Sequence, residues 1–555
     1  MYGTHVDRAF CKPPVVGFTS RVRFGRTYGV MKAHRTASEG RGRSVDAPSR
    51  GFISIDPSPL VVTDPETPTP ASTKVAQLFY RKTGTLLLRP HLVRISPHDP
   101  DIWSLLPPAL VALVLEPVQA SVDAIVAGQL GAAQLGAVGF GTVLFQFCLG
   151  FFATFIFATT PLVASAVSWE GELYRDHREP SRLAARGIWV ACTVGIFLQA
   201  LVWVATPWAL GSLCADPEVA SLTSEYLRAR SWGIPAALVM MVGIGAGRGC
   251  RDMMAPCLGA ASYLGALTLF DVTLVYGAKL GTEGIGYAAA FAQWIGAVTV
   301  LGVLYKRKEF DFKDLKDIPA PSAALPYIKM APSLAVNNVA ALGPILAATS
   351  VVTGLGPDIL AAHTLLRQIS GFWLQGFVAF NATAHSMIAS SLGDATVTGV
   401  ERASSALERI CQWAVAISIP VGLLAFTLKT SLPLVFTSDE RVSETVATVL
   451  PLLIAFLPVD ALGTTLEGGI LGASDTRWIA LRATASSAAS LAALRYASAS
   501  FESMDVGGTQ AGTHALLVVW CCLKILTCMA LVADLARFMG PAVRGLSIVR
   551  INRHK

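Results

Sequence analysis

A chain of 555 residues with only 15% charged side chains, 53% hydrophobic ones and a mean hydropathy of +0.54 is not a soluble multidomain protein, because soluble domains carry about 25% charged residues. Residues 1–100 hold 15 Lys and Arg against 7 Asp and Glu, whereas the other 455 residues hold 29 against 30. No nucleic-acid partner is expected, because this near-neutral remainder lacks the basic stripes that phosphate binding requires.

The first hundred residues have the composition of a leader followed by a linker. Residues 1–50 contain ten basic residues against three acidic ones, with scattered Ser and Thr and no apolar secretory core. This balance is typical of an organellar transit peptide, although a disordered basic tail has the same composition. Residues 51–100 are rich in Pro, Thr and Asp between Pro57 and Pro70, which predicts a disordered linker.

From residue 101 onward the chain is a succession of apolar segments, each close to the ~20 residues that cross a bilayer. Because only helices and closed barrels satisfy their backbone groups in lipid, we predict an all-α polytopic membrane protein with twelve transmembrane helices. The predicted parts are an N-terminal six-helix bundle (101–310), a linker (311–324), a C-terminal six-helix bundle (325–536) and a basic tail (537–555). The predicted spans are 102–126, 133–166, 187–210, 220–247, 255–278, 284–305, 325–353, 359–391, 410–436, 444–472, 478–498 and 512–536.

The distribution of Lys and Arg predicts the orientation of these helices. With twelve spans, twenty basic residues fall in the loops and tail on the side of the amino terminus, and six fall on the other side. Because loops that stay on the inner face retain Lys and Arg, we expect both termini on that face.

The two halves of the chain repeat each other. Residues 128–131 (Gly-Gln-Leu-Gly) end the first span, and residues 353–356 (Thr-Gly-Leu-Gly) end the seventh at an offset of 225. A second set corresponds at an offset of 223, with Pro235, Gly249 and Asp252 matching Pro458, Gly472 and Asp475. Two bundles related in this way place a substrate cavity between them.

Four short motifs carry a resemblance to a known family. They are Glu116-Pro117 followed by Asp123 and Gly131, the run 247–256 with Arg248-Gly249 and Asp252, the set Pro458, Asp460, Glu467-Gly468 and Asp475, and Ala361-Ala362-His363 with Gln368. Together they resemble the DinF-like branch of the multidrug and toxic compound extrusion (MATE) transporters, which includes plastid-envelope members. The resemblance covers residues 101–536.

The resemblance implies a V-shaped pair of six-helix bundles that exports organic solutes in exchange for protons or sodium, with no cofactor beyond that ion. It also implies that the acidic position of the fifth span is Asp271. The residues around it depart from the family pattern, because Leu267 replaces an Asn, Val272 a Pro and Ala289 a Thr. The choice between protons and sodium therefore stays open.

Acidic residues inside the spans are the candidate functional groups, because each costs roughly 2.5–3.5 kcal/mol to insert. Asp123 is the main candidate for ion coupling, and for Asp271 coupling and a structural role are equally supported. Glu116 lies seven residues before Asp123 on the same helix face, and Asp460 and Glu467 repeat that spacing, which predicts two carboxylate stripes facing the cavity. Position nearer the helix ends favours capping or snorkelling contacts for Glu116 and Asp460, and Glu467 is equally suited to an interhelical contact or to solute binding.

Other polar residues and prolines within the spans complete the candidate site. Pro117, Pro235 and Pro458 are expected to bend their helices. Basic and polar cavity candidates in the eighth span are Arg367, His363 and Gln368, and Lys524 lies midway along the twelfth. For Arg367 and Lys524 an internal ion pair is slightly favoured. For His363 and His385 a hydrogen-bonded core position is favoured over a proton relay.

The predicted function is a secondary antiporter that exports a small organic solute, such as a xenobiotic, an organic acid or a phenolic metabolite, and acts as a monomer in a lipid bilayer, with the plastid envelope as the expected location. One alternative is a flippase for lipid-linked precursors, and a less favoured one is a membrane-embedded enzyme. Nucleotide-binding and hydrolase motifs are not found, and the ten cysteines do not form metal-binding pairs.

Overall fold

The computed structural model describes residues 73–87, 96–169, 178–213, 217–393, 396–435, 439–502 and 509–551. The predicted transit peptide (1–50) and residues 51–72 lie outside this part of the chain. The described residues form helices joined by short turns, and none of them lies in a β-strand.

Helix α1 (Thr73–Leu87) lies where a disordered linker was predicted, so that prediction is wrong for these residues. The physical reason is a buried stripe at helical spacing, made of Val75, Phe79 and Tyr80. The rings of Phe79 and Tyr80 both pack edge-on against Phe538, with centroid distances of 5.9 and 5.1 Å. This aromatic contact fixes α1 to the last helix of the protein.

The remaining helices reproduce the twelve predicted spans. In the N-terminal lobe they are α2 (Asp99–Leu130), α3 (Ala132–Gly150), α4 (Thr154–Trp169), α5 (Glu179–Leu213), α6 (Pro217–Ser231), α7 (Ile234–Gly249), α8 (Met254–Phe270) and α9 (Gly281–Lys306). In the C-terminal lobe they are α10 (Leu325–Thr353), α11 (Pro357–Gly393), α12 (Val397–Thr427), α13 (Glu440–Ala455), α14 (Leu457–Gly472), α15 (Thr476–Glu502) and α16 (Thr509–Ile551). Three spans consist of two helices each, namely α3 with α4, α6 with α7, and α13 with α14.

By length and apolar composition, the described residues contain eight helical segments able to cross a membrane, or ten when the bent pairs α6–α7 and α13–α14 count as one span each. Helices α11 and α15 bring the number to twelve. Both are more polar because they bury hydroxyl and amide groups within the protein, including Asn381 and Ser386 on α11 and Ser490 on α15. Helix α16 continues beyond residue 536, so the predicted basic tail begins as helix.

Backbone geometry repeats between the lobes at the offsets found in the sequence. Helix pair α6–α7 bends by 51° and pair α13–α14 by 50°. Pro235 and Pro458 each lie in the first turn after the bend, where a proline sacrifices no helical hydrogen bond. Gly131 and Gly356 end the first span of each lobe with positive φ angles of 145° and 111°. The lobes are therefore pseudo-symmetric, as predicted, whereas Pro117 lies inside the uninterrupted helix α2.

The two lobes are joined at the end that carries the Lys- and Arg-rich loops. Asp99, at the start of α2, accepts two hydrogen bonds from Arg409 of α12, at 2.6 and 2.9 Å. Arg251, in the turn between α7 and α8, donates to Ser390 of α11 at 2.6 Å. Tyr327 of α10 shares a hydrogen bond of 3.1 Å with Thr159 of α4. These polar contacts hold the first half of the chain against the second.

Helices α11 and α14 cross at very close range, and Gly468 makes this approach possible. A Cβ atom at Gly468 would overlap the carbonyl oxygen of Asn381 and lie 2.8 Å from its Cα atom. The Asn381 side chain donates to the carbonyl of Thr464 at 3.0 Å, which fastens the same crossing. Small residues at helix crossings are a common means of packing within a membrane.

We predict that Gly468→Ala destabilises the protein by about 1–3 kcal/mol, the usual cost of overpacking, because a backbone cannot yield as a side chain does. The measurement is the thermal midpoint in detergent, together with the yield of monodisperse protein. Gly265→Ala is the matched control, since a Cβ at Gly265 meets no atom within 4 Å. Equal midpoints for the two variants would contradict this account of the crossing.

Candidate functional site

A cavity of about 450 Å³ lies inside the N-terminal lobe. Apart from Ala382 on α11, its lining comes entirely from residues 109–293, so it does not lie symmetrically between the lobes as predicted. Polar side chains line it from several helices, namely Glu116, Gln119, Asp123, Thr142, Gln146, Arg230, Arg248, Tyr263 and Gln293. The volume falls within the usual range for sites that bind small molecules.

Helix α2 supplies both acidic residues of the cavity lining. Glu116 and Asp123 lie two turns apart and line the same cavity, in agreement with the predicted shared face. Glu116 occupies the middle of α2 and accepts a hydrogen bond of 3.2 Å from Gln375 of α11. The predicted capping role of Glu116 is therefore wrong, because its helix extends well beyond it in both directions.

Asp123 belongs to a buried cluster with Asp271 and Arg230. Asp123 is 5% exposed, and its Oδ2 atom lies 3.9 Å from Nη1 of Arg230. Asp271 is 1% exposed, and neither of its carboxyl oxygens has a hydrogen-bond partner among the described residues. The Arg230 guanidinium lies over the ring of Phe145, with its central carbon 4.6 Å from the ring centroid. The charges of Asp123 and Arg230 both act on Asp271, so two buried carboxyl groups share a single cation.

Asp271 begins a π-helical turn (Asp271–Gly277) that continues α8. A π turn inserts an extra residue into the helical ladder, and such turns occur frequently at functional sites. The turn was not predicted, because its sequence contains no residue type that marks it.

Arg230 was missed as a site residue because it was counted among the basic residues of the outer loops. In the structure it lies in the last turn of α6, directly before the bend to α7, with its side chain only 12% exposed. Its position one turn before Ile234-Pro235 was the available signal, because a chain bent within the membrane keeps both sides of the bend buried.

In the C-terminal lobe, both carboxylates of the second predicted stripe form ion pairs. Asp460 on α14 lies 2.6 Å from Nζ of Lys524, which is the ion pair predicted for that lysine. Glu467 lies 3.2 Å from Arg482 of α15, so it makes an interhelical contact. Arg482 also contacts Asp534 at 3.0 Å. The space beside Asp460 and Lys524 is only about 20 Å³, enough for a single water molecule.

The residues predicted in the eighth span are not brought together into one site. Arg367 and Gln368 are exposed on α11, and Arg367 forms no ion pair among the described residues, contrary to prediction. His363 is buried beside Thr349, with 3.3 Å between Nε2 and Oγ1. His385 is also buried, but neither ring nitrogen has a partner in the described part of the chain, so the predicted hydrogen-bonded position is wrong for it.

Comparison with known proteins agrees with this architecture. The MatE family model matches residues 108–269 and 334–501. DETOXIFICATION 44, chloroplastic, from Arabidopsis thaliana is 24% identical over 390 residues, covering 68% of this chain and 72% of that protein. The probable multidrug resistance protein NorM from Mannheimia succiniciproducens is 20% identical over 382 residues, covering 67% of this chain and 80% of that protein.

Among solved structures, a MATE protein crystallised in complex with MaL6 is similar, with a TM-score of 0.68 and 17% sequence identity, covering 86% of this chain and 100% of that one. Likeness at this identity establishes the fold, and the family match extends over more than half of the chain. The chain belongs to the MatE family of multidrug and toxic compound extrusion transporters, and it is a multi-pass integral membrane protein.

Proposed function

We propose that this protein is an antiporter that exports a small organic solute in exchange for protons, with Asp123 and Asp271 as the proton-exchanging pair. The observation that carries the proposal is that the charge of one guanidinium, that of Arg230, acts on two buried carboxyl groups. A single cation neutralises one carboxylate. The other carboxyl group is stable in this environment when it carries a proton, because an unpaired buried charge is costly.

Protons suit this cluster better than sodium. Arg230 already lies 3.9 Å from Asp123, so a sodium ion bound to this carboxylate would have to fit beside the guanidinium. Sodium also needs several oxygen ligands, and the ring of Phe145 occupies one side of Arg230. A proton needs no such set of ligands, because it binds to one carboxyl oxygen through a single covalent O–H bond.

The geometry also supports coupling between proton and solute. Asp123 faces the solute cavity on the same side of α2 as Glu116, and Asp271 lies at the junction between α8 and its π turn. A proton bound at either carboxyl changes which of them pairs with Arg230. Because α2, α6 and α8 contribute one member each, such a change alters the relative position of three cavity helices.

The cavity volume favours this proposal over the flippase alternative. A space of about 450 Å³ matches a small solute, whereas a lipid-linked oligosaccharide needs a much longer groove. The family supports transport over the enzyme alternative.

We predict that Asp123→Asn and Asp271→Asn each lower uptake driven by a pH gradient by about tenfold or more, because the amide keeps the shape of the carboxyl group but cannot exchange a proton. The measurement uses proteoliposomes with an imposed gradient and two labelled probes, tetraethylammonium and naphthalenesulfonate. Glu440→Gln, an exposed carboxyl of α13, is the control and keeps wild-type uptake.

Equal gradient-driven uptake by wild type and both Asn variants would contradict the proton pair. Wild-type uptake that depends on a sodium gradient and does not depend on the pH gradient would contradict the choice of protons as the coupling ion. Each variant is first checked for a monodisperse elution profile, so that a folding defect is not taken for a transport defect.

We also propose that the protein resides in the plastid envelope. The support is the basic composition of residues 1–50 and the similarity to a protein named as chloroplastic. Since α1 packs on the transporter from Thr73 onward, we expect any processing to occur before that residue. A fluorescent reporter fused to residues 1–72 is expected at plastids of a plant cell, and cytosolic or mitochondrial fluorescence would contradict this location.

A further inference from the structure

Arg248 is a cation inside the cavity that has no charged partner. It lies in the last turn of α7 and lines the cavity, while its Nε atom is buried and makes no hydrogen bond. Within the described chain, no carboxylate or ring contacts its guanidinium. The carbonyl end of α7 offers it partial negative charge, but this helix-end attraction is weaker than a full ion pair.

Two acidic residues at the turn between α7 and α8, one in the turn and one in contact with it, are engaged elsewhere. Asp252 lies 3.1 Å from Arg307, at the end of α9. Asp101 lies 3.6 Å from Arg251. The residue on which the charge of Arg248 acts across the lobe interface is His385, an imidazole and not a carboxylate. This end of the cavity is therefore positive.

The positive end is far from the cluster of Asp123 and Arg230. Arg230 precedes the bend between α6 and α7, and Arg248 lies near the opposite end of α7. The α7 residues that line the cavity run from Ala237 to Arg248, a rise of about 16 Å at 1.5 Å per residue. A solute held at Arg248 thus leaves the proton pair free.

We propose that Arg248 binds the anionic group of the exported solute, so that the substrates of this transporter are organic oxyanions such as carboxylates. This inference rests on the proposed antiport function and specifies its substrate class. A planar guanidinium binds a carboxylate through two parallel hydrogen bonds. The apolar body of the solute then lies against Met240, Met241 and Met253, whose flexible thioether side chains adapt to different shapes.

The test is equilibrium dialysis of the purified protein in detergent with three probes that share one ring system, namely naphthoate, naphthamide and naphthylmethylammonium. Wild type is expected to bind naphthoate about tenfold more tightly than the neutral and cationic probes. Arg248→Gln removes that preference and leaves the affinity for naphthamide unchanged, and Arg248→Lys restores part of the preference. Arg228→Gln, which changes an exposed arginine of α6, keeps the wild-type pattern.

Three results would overturn the inference: a wild-type preference for the cationic probe, no discrimination among the probes, or unchanged naphthoate binding in Arg248→Gln. If Arg248→Gln does not fold, the inference is tested by two other results: the preference of wild type for naphthoate and the partial preference expected of Arg248→Lys. Gradient-driven uptake of tetraethylammonium without any naphthoate binding would overturn the substrate class and leave the antiport proposal intact. Naphthoate binding without gradient-driven uptake of any probe would overturn the antiport proposal and leave the substrate class intact.

Discussion

A charge buried among membrane helices must be paired, protonated or hydrated, and this requirement determines how the two lobes differ. In the C-terminal lobe every buried carboxylate named above has a cation within about 3 Å, as in Asp460 with Lys524 and Asp534 with Arg482. In the N-terminal lobe Asp123 lies 3.9 Å from Arg230, while neither carboxyl oxygen of Asp271 has a hydrogen-bond partner and no carboxylate contacts Arg248 among the described residues. The named buried carboxylates of the C-terminal lobe are therefore all paired with cations, whereas Asp271 and Arg248 of the N-terminal lobe have no such partner among the described residues.

This asymmetry exists on a pseudo-symmetric backbone. The bends of α6–α7 and α13–α14 agree to within a degree, and Arg251 and Ser474 both adopt positive φ angles near 60° at an offset of 223 residues. The repeat therefore supplies matching helix geometry in both lobes, and the lobes differ in how their buried charges are paired. The closed crossing at Gly468 and the aromatic contact of α1 with Phe538 both stabilise the other lobe.

Features that depend on local spacing were predictable from the sequence. Apolar run lengths indicated twelve spans, the seven-residue spacing placed Glu116 and Asp123 on one face, and Pro235 and Pro458 marked the two bends. Features that depend on tertiary contact were not. The position of Arg230 before Ile234-Pro235 indicates burial, but nothing local shows that its partner is Asp123, or that Arg482 joins Glu467 to Asp534. Helix α1 was missed because its buried stripe is short and lies within a segment whose preceding residues are rich in Pro.

The central claim is that the cluster of Asp123, Asp271 and Arg230 exchanges protons when solute binds. Its most direct test is the number of protons released per solute bound, obtained by titrating the purified protein in buffers of different ionisation enthalpy with the probe that wild type transports fastest. The account predicts release of about one proton by wild type. One carboxyl of the pair is already ionised beside the single guanidinium, so only the other holds a proton that can be released. The double variant Asp123→Asn/Asp271→Asn is expected to bind the probe and release none. The same proton release from the double variant as from wild type would contradict the claim.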